Sequence, residues 1–166
     1  MTRALQALEG SSILSTRTMG KTIYLTGAVS DWDEPFAWHD ELMDSNEWED
    51  TEFINPYTVN DFELGDDQIY EEPEKVVEPA LDALVESDGV LVRWDDDAFL
   101  VGTSIEMRVA KEHDIPVVVW YDGWRDDLSP WIQYHTKGSF ENKEKALKVL
   151  LTFTGTTFAI TESFEW

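Results

Sequence analysis

From Thr22 onward the chain alternates short β-branched and aromatic segments with longer segments of helical period, and this order constrains the fold more than any other feature. Gly89 to Trp94 (GVLVRW) and Ile115 to Tyr121 (IPVVVWY) are near-continuous apolar runs, the pattern of parallel strands covered on both faces. Thr22 to Thr26 (TIYLT) is a strand ended by Gly27, and Glu52 to Ile54 is another, stopped by Asn55-Pro56. Thr157 to Ile160 is expected to add a fifth strand. Between them the spacing predicts helices over 36–43 (apolar face Phe36, Trp38, Leu42), 74–86 (Val77, Leu81, Leu84, Val85), 102–113 (Ile105, Val109, Ala110) and 139–151. Tyr57 to Glu74 is polar and too long for a simple connection, which makes it a candidate binding loop. A βαβα order implies right-handed crossovers and one three-layer α/β domain over residues 21–166: a flavodoxin-like, Rossmann-like fold with a parallel sheet of about five strands.

Charge narrows the partners. The 166 residues hold 35 Asp and Glu against 12 Lys and Arg, a formal net charge of −23. Such a chain repels nucleic-acid phosphates and anionic lipid, so neither nucleic acid nor a membrane surface is an expected partner. A hydrophobic content of 42%, with 8 Trp and 8 Phe, excludes the alternative that the charge marks a disordered chain. The absence of Cys removes disulfides, thiolate metal sites and thiol catalysis, and it fits a cytoplasmic location. Residues 1–20 carry Arg3, Arg17 and only Glu9; they are expected to be a disordered extension, and Met19, just before the first strand, is a candidate start of translation. No apolar run approaches the roughly 20 residues that cross a bilayer.

In open α/β sheets a ligand sits beyond the carboxyl ends of the strands, where the strand order reverses. With a flavodoxin-like order the crevice lies between the first and third strands, lined by Gly27 to Ser30 and by Trp94 to Ser104, with Asn55-Pro56 at its border. Asp88 precedes the third strand and belongs to the opposite end, where a turn or capping role is expected. Glu106 lies in the first turn of the helix after that strand and faces the crevice. Thr103-Ser104-Ile105-Glu106 also has the spacing of a capping box, in which Thr103 and Glu106 bond each other's backbone N–H, and the two roles can coexist. Trp94 and Trp131 are candidates to stack on a nucleobase, or ordinary packing residues. The free N–H groups at Gly102-Thr103-Ser104 would attract a phosphate.

Tyr24-Leu25-Thr26-Gly27, Phe53-Ile54-Asn55-Pro56, Ser87-Asp88, Gly102-Thr103-Ser104-Ile105-Glu106, Ile115-Pro116-Val117-Val118-Val119 and Ser129-Pro130-Trp131, in that order, resemble the nucleoside 2-deoxyribosyltransferase-like family, in its haloarchaeal and haloviral form. The resemblance spans about Lys21 to Phe140. It implies that Glu106 is a nucleophile that attacks the sugar C1′ and releases the base from a covalent glycosyl-enzyme; the crevice, the aromatics and the helix start add Gly27, Asn55, Trp94, Gly102, Thr103, Ser104 and Trp131 as candidates around the substrate. The substrate would be a small-molecule nucleoside or nucleotide. The resemblance also implies homo-oligomers that complete the site with a neighbour's loop, here Asp127 to Trp131. Family members that transfer deoxyribose often carry aspartates where this chain has Leu100 and Ala80. Those departures weigh toward hydrolysis, or toward a binding module without turnover. Asp95, Asp96 and Asp97 are on the right loop to substitute, or form a solvated acidic loop.

No cofactor is expected. His39, His113 and His135 lack metal-ligand spacing, the pairs Asp66-Asp67 and Asp126-Asp127 match no calcium loop, and neither a P-loop nor G-x-G-x-x-G is present. The resemblance and the excess of acid together read as a hydrated surface suited to a high-salt cytosol, where self-repulsion is screened within ~3 Å at 1 M salt. Partial unfolding is therefore expected on dialysis to low salt. Far-UV circular dichroism checks this, and an unchanged spectrum would remove the halophilic reading.

Overall fold

A computed structural model describes residues 20–28, 34–59 and 71–155. Its five strands are β1 (Lys21–Gly27), β2 (Thr51–Ile54), β3 (Gly89–Trp94), β4 (Val117–Tyr121) and β5 (Gly138–Phe140). The helices are α1 (Ala37–Met43), α2 (Glu74–Val85), α3 (Val101–Glu112), α4 (Pro130–His135) and α5 (Lys143–Phe153). All strand pairs are parallel, in the order β2-β1-β3-β4-β5, the flavodoxin-like order.

Period-two alternation divides the sheet into two buried faces. Tyr24, Val90, Val92, Val117 and Val119 point toward α2, α3 and α4, where Leu84, Met107, Ala110 and Ile132 meet them. Ile23, Leu25, Leu91 and Val118 point the other way, onto Trp38 and Leu42 of α1 and Ala146, Leu147, Leu150 and Leu151 of α5. Both faces of β3 and β4 are thus covered, which is why these strands read as unbroken apolar runs. At the amino end of the sheet Asp88 ties β1 to β3: its carboxylate accepts from the Thr22 N–H at 2.8 Å and its own N–H donates to the Thr22 carbonyl. This is the turn role its position implied.

Several elements depart from the sequence reading. Residues assigned to the start of the last helix form β5 instead, and α5 begins at Lys143, capped by the Asn142 side chain on the Lys145 N–H. A fifth strand therefore exists, but at Gly138–Phe140; the one expected at Thr157 to Ile160 lies outside the described residues, as do residues 1–19 and most of the Tyr57–Glu74 segment. The helix α4 was not foreseen, although Ser129-Pro130 supplies both its cap and its first-turn proline. On α2 only Leu84 is fully buried; Val77 and Val85 are exposed, and Val77 and Leu81 border a cavity rather than the core. Ile105 of α3 is likewise half exposed, while the buried stripe runs through Thr103, Met107 and Ala110. No helix among the described residues is long and apolar enough to cross a membrane.

Gly27 closes β1 against β3 and is required there. Its φ is +127°, and a Cβ would stand 2.0 Å from the Arg93 carbonyl oxygen, in a turn fixed by the Ala28 N–H bond to that same oxygen. Strain at such a φ and overpacking add, so Gly27→Ala is expected to cost roughly 2–5 kcal/mol. Urea unfolding of the purified variant measures this.

Candidate active site

The β1–β2 ladder ends at Tyr24↔Ile54, while β1 continues beside β3 as far as Gly27↔Arg93. The carboxyl end of β1 therefore borders an opening at the point where the strand order reverses. Helix α3 crosses above it. On the face of β1 turned to α3, Tyr24 and Thr26 are buried two residues apart, and both reach Glu106. The Tyr24 hydroxyl donates to Glu106 Oε1 at 2.7 Å, and the Thr26 hydroxyl makes a short hydrogen bond to Oε2. Thr103, one turn earlier on α3, bonds Thr26 Oγ1 at 3.2 Å. One carboxylate is thus held by both oxygens from a rigid strand, and its rotamer is set by partners some 80 positions away in sequence.

This geometry replaces the capping box. Helix α3 begins at Val101, so Thr103 and Glu106 lie within it; its N-cap residue Leu100 makes no side-chain capping bond. Ser104 Oγ donates to the Leu100 carbonyl, and the Thr103 hydroxyl turns to β1.

Glu106 fronts a cavity of about 250 Å³ together with Thr26, Gly27, Tyr57, Ala80, Leu100, Gly102 and Thr103. Val76, Val77, Leu81, Phe99 and Ile105 complete an apolar wall, with Pro56 beside Tyr57. Among the described lining residues Glu106 carries the sole charge. Burial raises its pKa, and the hydrogen bonds from Thr26 and Tyr24 oppose that rise. Burial, then the Glu106 charge, raises the pKa of Tyr24. The same two causes, in the same order, raise that of Tyr57.

Of the residues singled out from sequence, Glu106, Gly27, Gly102 and Thr103 come together at this cavity. A Cβ on Gly102 would meet nothing within 4 Å, so packing does not demand glycine there. Asn55 does not line the cavity. It is buried, and its Oδ1 accepts from the Tyr57 N–H at 3.0 Å, which fixes the turn that carries Tyr57. The same side chain bonds His39, whose pKa burial lowers to about 4. Trp94 and Ser104 lie on another side of α3, bordering an open depression of about 510 Å³ with Val101, Arg108 and Val109. Trp131 is 78% exposed on α4 and lines neither hollow. The stacking role expected of Trp94 and Trp131 thus finds no support at Glu106. Val29 and Ser30 lie outside the described residues.

Leu100 and Ala80, where the resembled family often has acids, both line the cavity. The neighbouring Asp95, Asp96 and Asp97 do not replace them. Asp96 accepts from Trp94 Nε1 at 3.1 Å and from the Tyr121 hydroxyl at 2.6 Å, raising the Tyr121 pKa to about 12, and Asp95 accepts from the Asp97 N–H. Sequence reasoning missed Tyr24, Thr26 and Tyr57 as site residues. The alternation of β1 already placed Tyr24 and Thr26 on one face, but nothing local showed that this face meets Glu106. No cluster of His, Asp or Glu suited to a metal ion occurs among the described residues.

No family model and no curated protein matches the chain. Among solved structures, the crystal structure of a conserved protein from Enterococcus faecalis is similar, with a TM-score of 0.62 at 15% identity over 80% of this chain and 98% of that one. At that identity the likeness supports the α/β fold alone.

The raised pKa has a consequence for stability. In the unfolded chain Glu106 titrates at the ordinary value, so between that value and the folded one the native state binds the extra proton, and stability falls as pH rises through the window. Glu106→Gln keeps the shape and removes the buried charge. It is expected to raise the melting temperature at neutral pH, by about 2–4 °C for each kcal/mol gained. The advantage should shrink as pH approaches the ordinary glutamate value of about 4.3. Thermal unfolding of both proteins across that range measures the difference.

Proposed function

We propose that the chain cleaves or transfers the N-glycosidic bond of a nucleoside or nucleoside monophosphate through a covalent glycosyl-enzyme on Glu106. The supporting observation is the Glu106 carboxylate itself: part-buried, bonded at both oxygens, and set in a largely apolar cavity at the sheet's switch point. Desolvation weakens the hydration shell that would blunt the carboxylate as a nucleophile, and the two hydroxyls orient it without a cation that would quench it. Each carboxylate oxygen accepts one bond and retains a lone pair for attack on C1′. Apolar walls suit a sugar and base, and the N–H groups at the start of α3 offer the available place for a 5′-phosphate.

A second reading is a nucleoside-binding module without turnover. It is favoured by the apolar Leu100 and Ala80 in the cavity wall, since displacement at a glycosidic carbon needs a proton donor as well as a nucleophile. Self-association accords with either reading: Phe99, Val101 and Ile105 are exposed beside the cavity, and Ala98 to Lys111 carries a single acid, Glu106, whose carboxylate is turned to β1.

Incubation with the deoxynucleosides and their 5′-monophosphates, followed by chromatography of free base, separates the readings. Catalysis predicts base release that Glu106→Ala lowers at least about 10³-fold. Saturable binding by calorimetry with no released base supports the module instead. Equal release by wild type and variant would dispose of Glu106 as nucleophile.

A further inference from the structure

On the reading of Glu106 as nucleophile, we propose that the Tyr57 phenol donates the proton to the departing base and recovers it from water in the second half-reaction. Each hydroxyl side chain has one proton to donate. The Tyr24 proton is given to Glu106 Oε1 and the Thr26 proton to Oε2. The Thr26 oxygen is then the acceptor in its contact with Thr103, so the Thr103 proton is given to Thr26. Of the four hydroxyls around Glu106, two are thus spent on holding it and a third on Thr26. Tyr57 is the fourth, and among the described residues its hydroxyl makes no hydrogen bond to Glu106 or to either threonine. Among the described lining residues no other side chain can release a proton.

The placement of Tyr57 is built rather than incidental. Asn55 Oδ1 accepts from the Tyr57 N–H, Thr58 bonds the Asn55 carbonyl, and the Tyr57 ring packs on Phe36 at 4.7 Å between centroids. Tyr57 is 39% exposed and lines the cavity, so it is accessible to a ligand there.

The steps balance. A Glu106 oxygen bonds to C1′ as the C1′–N bond breaks; the electron pair of that bond passes into the base, and the Tyr57 proton neutralises the base at a ring nitrogen. The products are a neutral glycosyl ester, a neutral base and a tyrosinate. Water then attacks C1′, its proton passes to the tyrosinate, and the ester C–O bond breaks to restore carboxylate and phenol. One group acts as acid and then as base, as in retaining glycosidases. The electrostatics follow the same sequence. Burial first, and the Glu106 charge second, raise the Tyr57 pKa in the free protein, and ester formation removes the second of these causes as the base leaves.

The experiment compares wild type, Tyr57→Phe and Glu106→Gln on purine deoxynucleosides and on their N7-methylated forms, whose cationic base departs without a proton. In a single turnover with protein in excess, which reads the first half-reaction alone, Tyr57→Phe is expected to slow base release from the unmethylated substrates by about 10²–10³-fold and from the methylated ones by less than about threefold. Equal slowing of both substrates, or slowing of neither, overturns the proposal and leaves Glu106 untouched. Glu106→Gln should abolish release from both. Release from neither substrate by wild type overturns the glycosidic reading and this proposal together. Far-UV circular dichroism and melting temperature establish that Tyr57→Phe is folded; if it is not, Tyr57→His, which retains a proton donor, must preserve release from the unmethylated substrates more than Tyr57→Leu does.

Discussion

The hydrogen bonds from Tyr24 and Thr26 to Glu106 join the two parts of the molecule on which the rest of the site depends. One end is a strand buried on both faces, and the other is the first half of the helix that crosses the switch point. A buried carboxylate without such partners would neutralise or turn to water. With them it is held in one orientation, and the hydroxyls that hold it lie on β1, whose register against β3 is set by five consecutive residue pairs. Precision at the carboxylate is therefore inherited from the sheet. Gly27 serves the same junction from below, since any side chain there would drive the β1 terminus away from β3 and open the floor of the cavity.

Much of this was legible in the order of segments. Unbroken apolar runs at β3 and β4 announced strands covered twice, and βαβ order led to a parallel sheet with a cavity at its carboxyl end. Glu106 followed from topology, because the helix after the third strand must start over the crevice. What local reasoning could not supply was the rotation of each helix about its own axis. Val77 and Ile105 have apolar spacing, yet they border a cavity, because an apolar stripe facing an empty site has the same period as one facing a core. The start of α3 shows the same limit: a shift of three residues, from Thr103 to Leu100 as the N-cap, turns a capping box into a pair of helix-interior side chains that bond a distant strand.

The aromatic residues show why composition misleads at a site. Trp94 and Trp131 follow strand ends and are large enough to stack on a base, but Trp94 bonds Asp96 beside another hollow and Trp131 projects from α4. The aromatic residues that do reach the cavity are Phe99 and Tyr57, the latter in a turn whose Asn-Pro pair reads from sequence only as a strand stop. Asn55 converts that stop into geometry. Its side chain accepts the Tyr57 N–H and also engages the buried His39, so a residue expected to touch substrate acts instead by placing the one that fronts the cavity.

Charge finally separates Glu106 from the other acids among the described residues. Acids on the surface repel one another through water and counterions, and at 1 M salt that repulsion fades within ~3 Å. Glu106 is governed by other forces, because burial is the leading cause of its raised pKa and the opposing hydroxyls are too close for salt to intervene. High salt can therefore relax the surface of an acidic chain while leaving the buried carboxylate's proton affinity almost unchanged. Such separation would let this fold carry an extreme net charge without handing control of the Glu106 carboxylate to the solvent: the strand partners set the carboxylate, and the salt sets the surface.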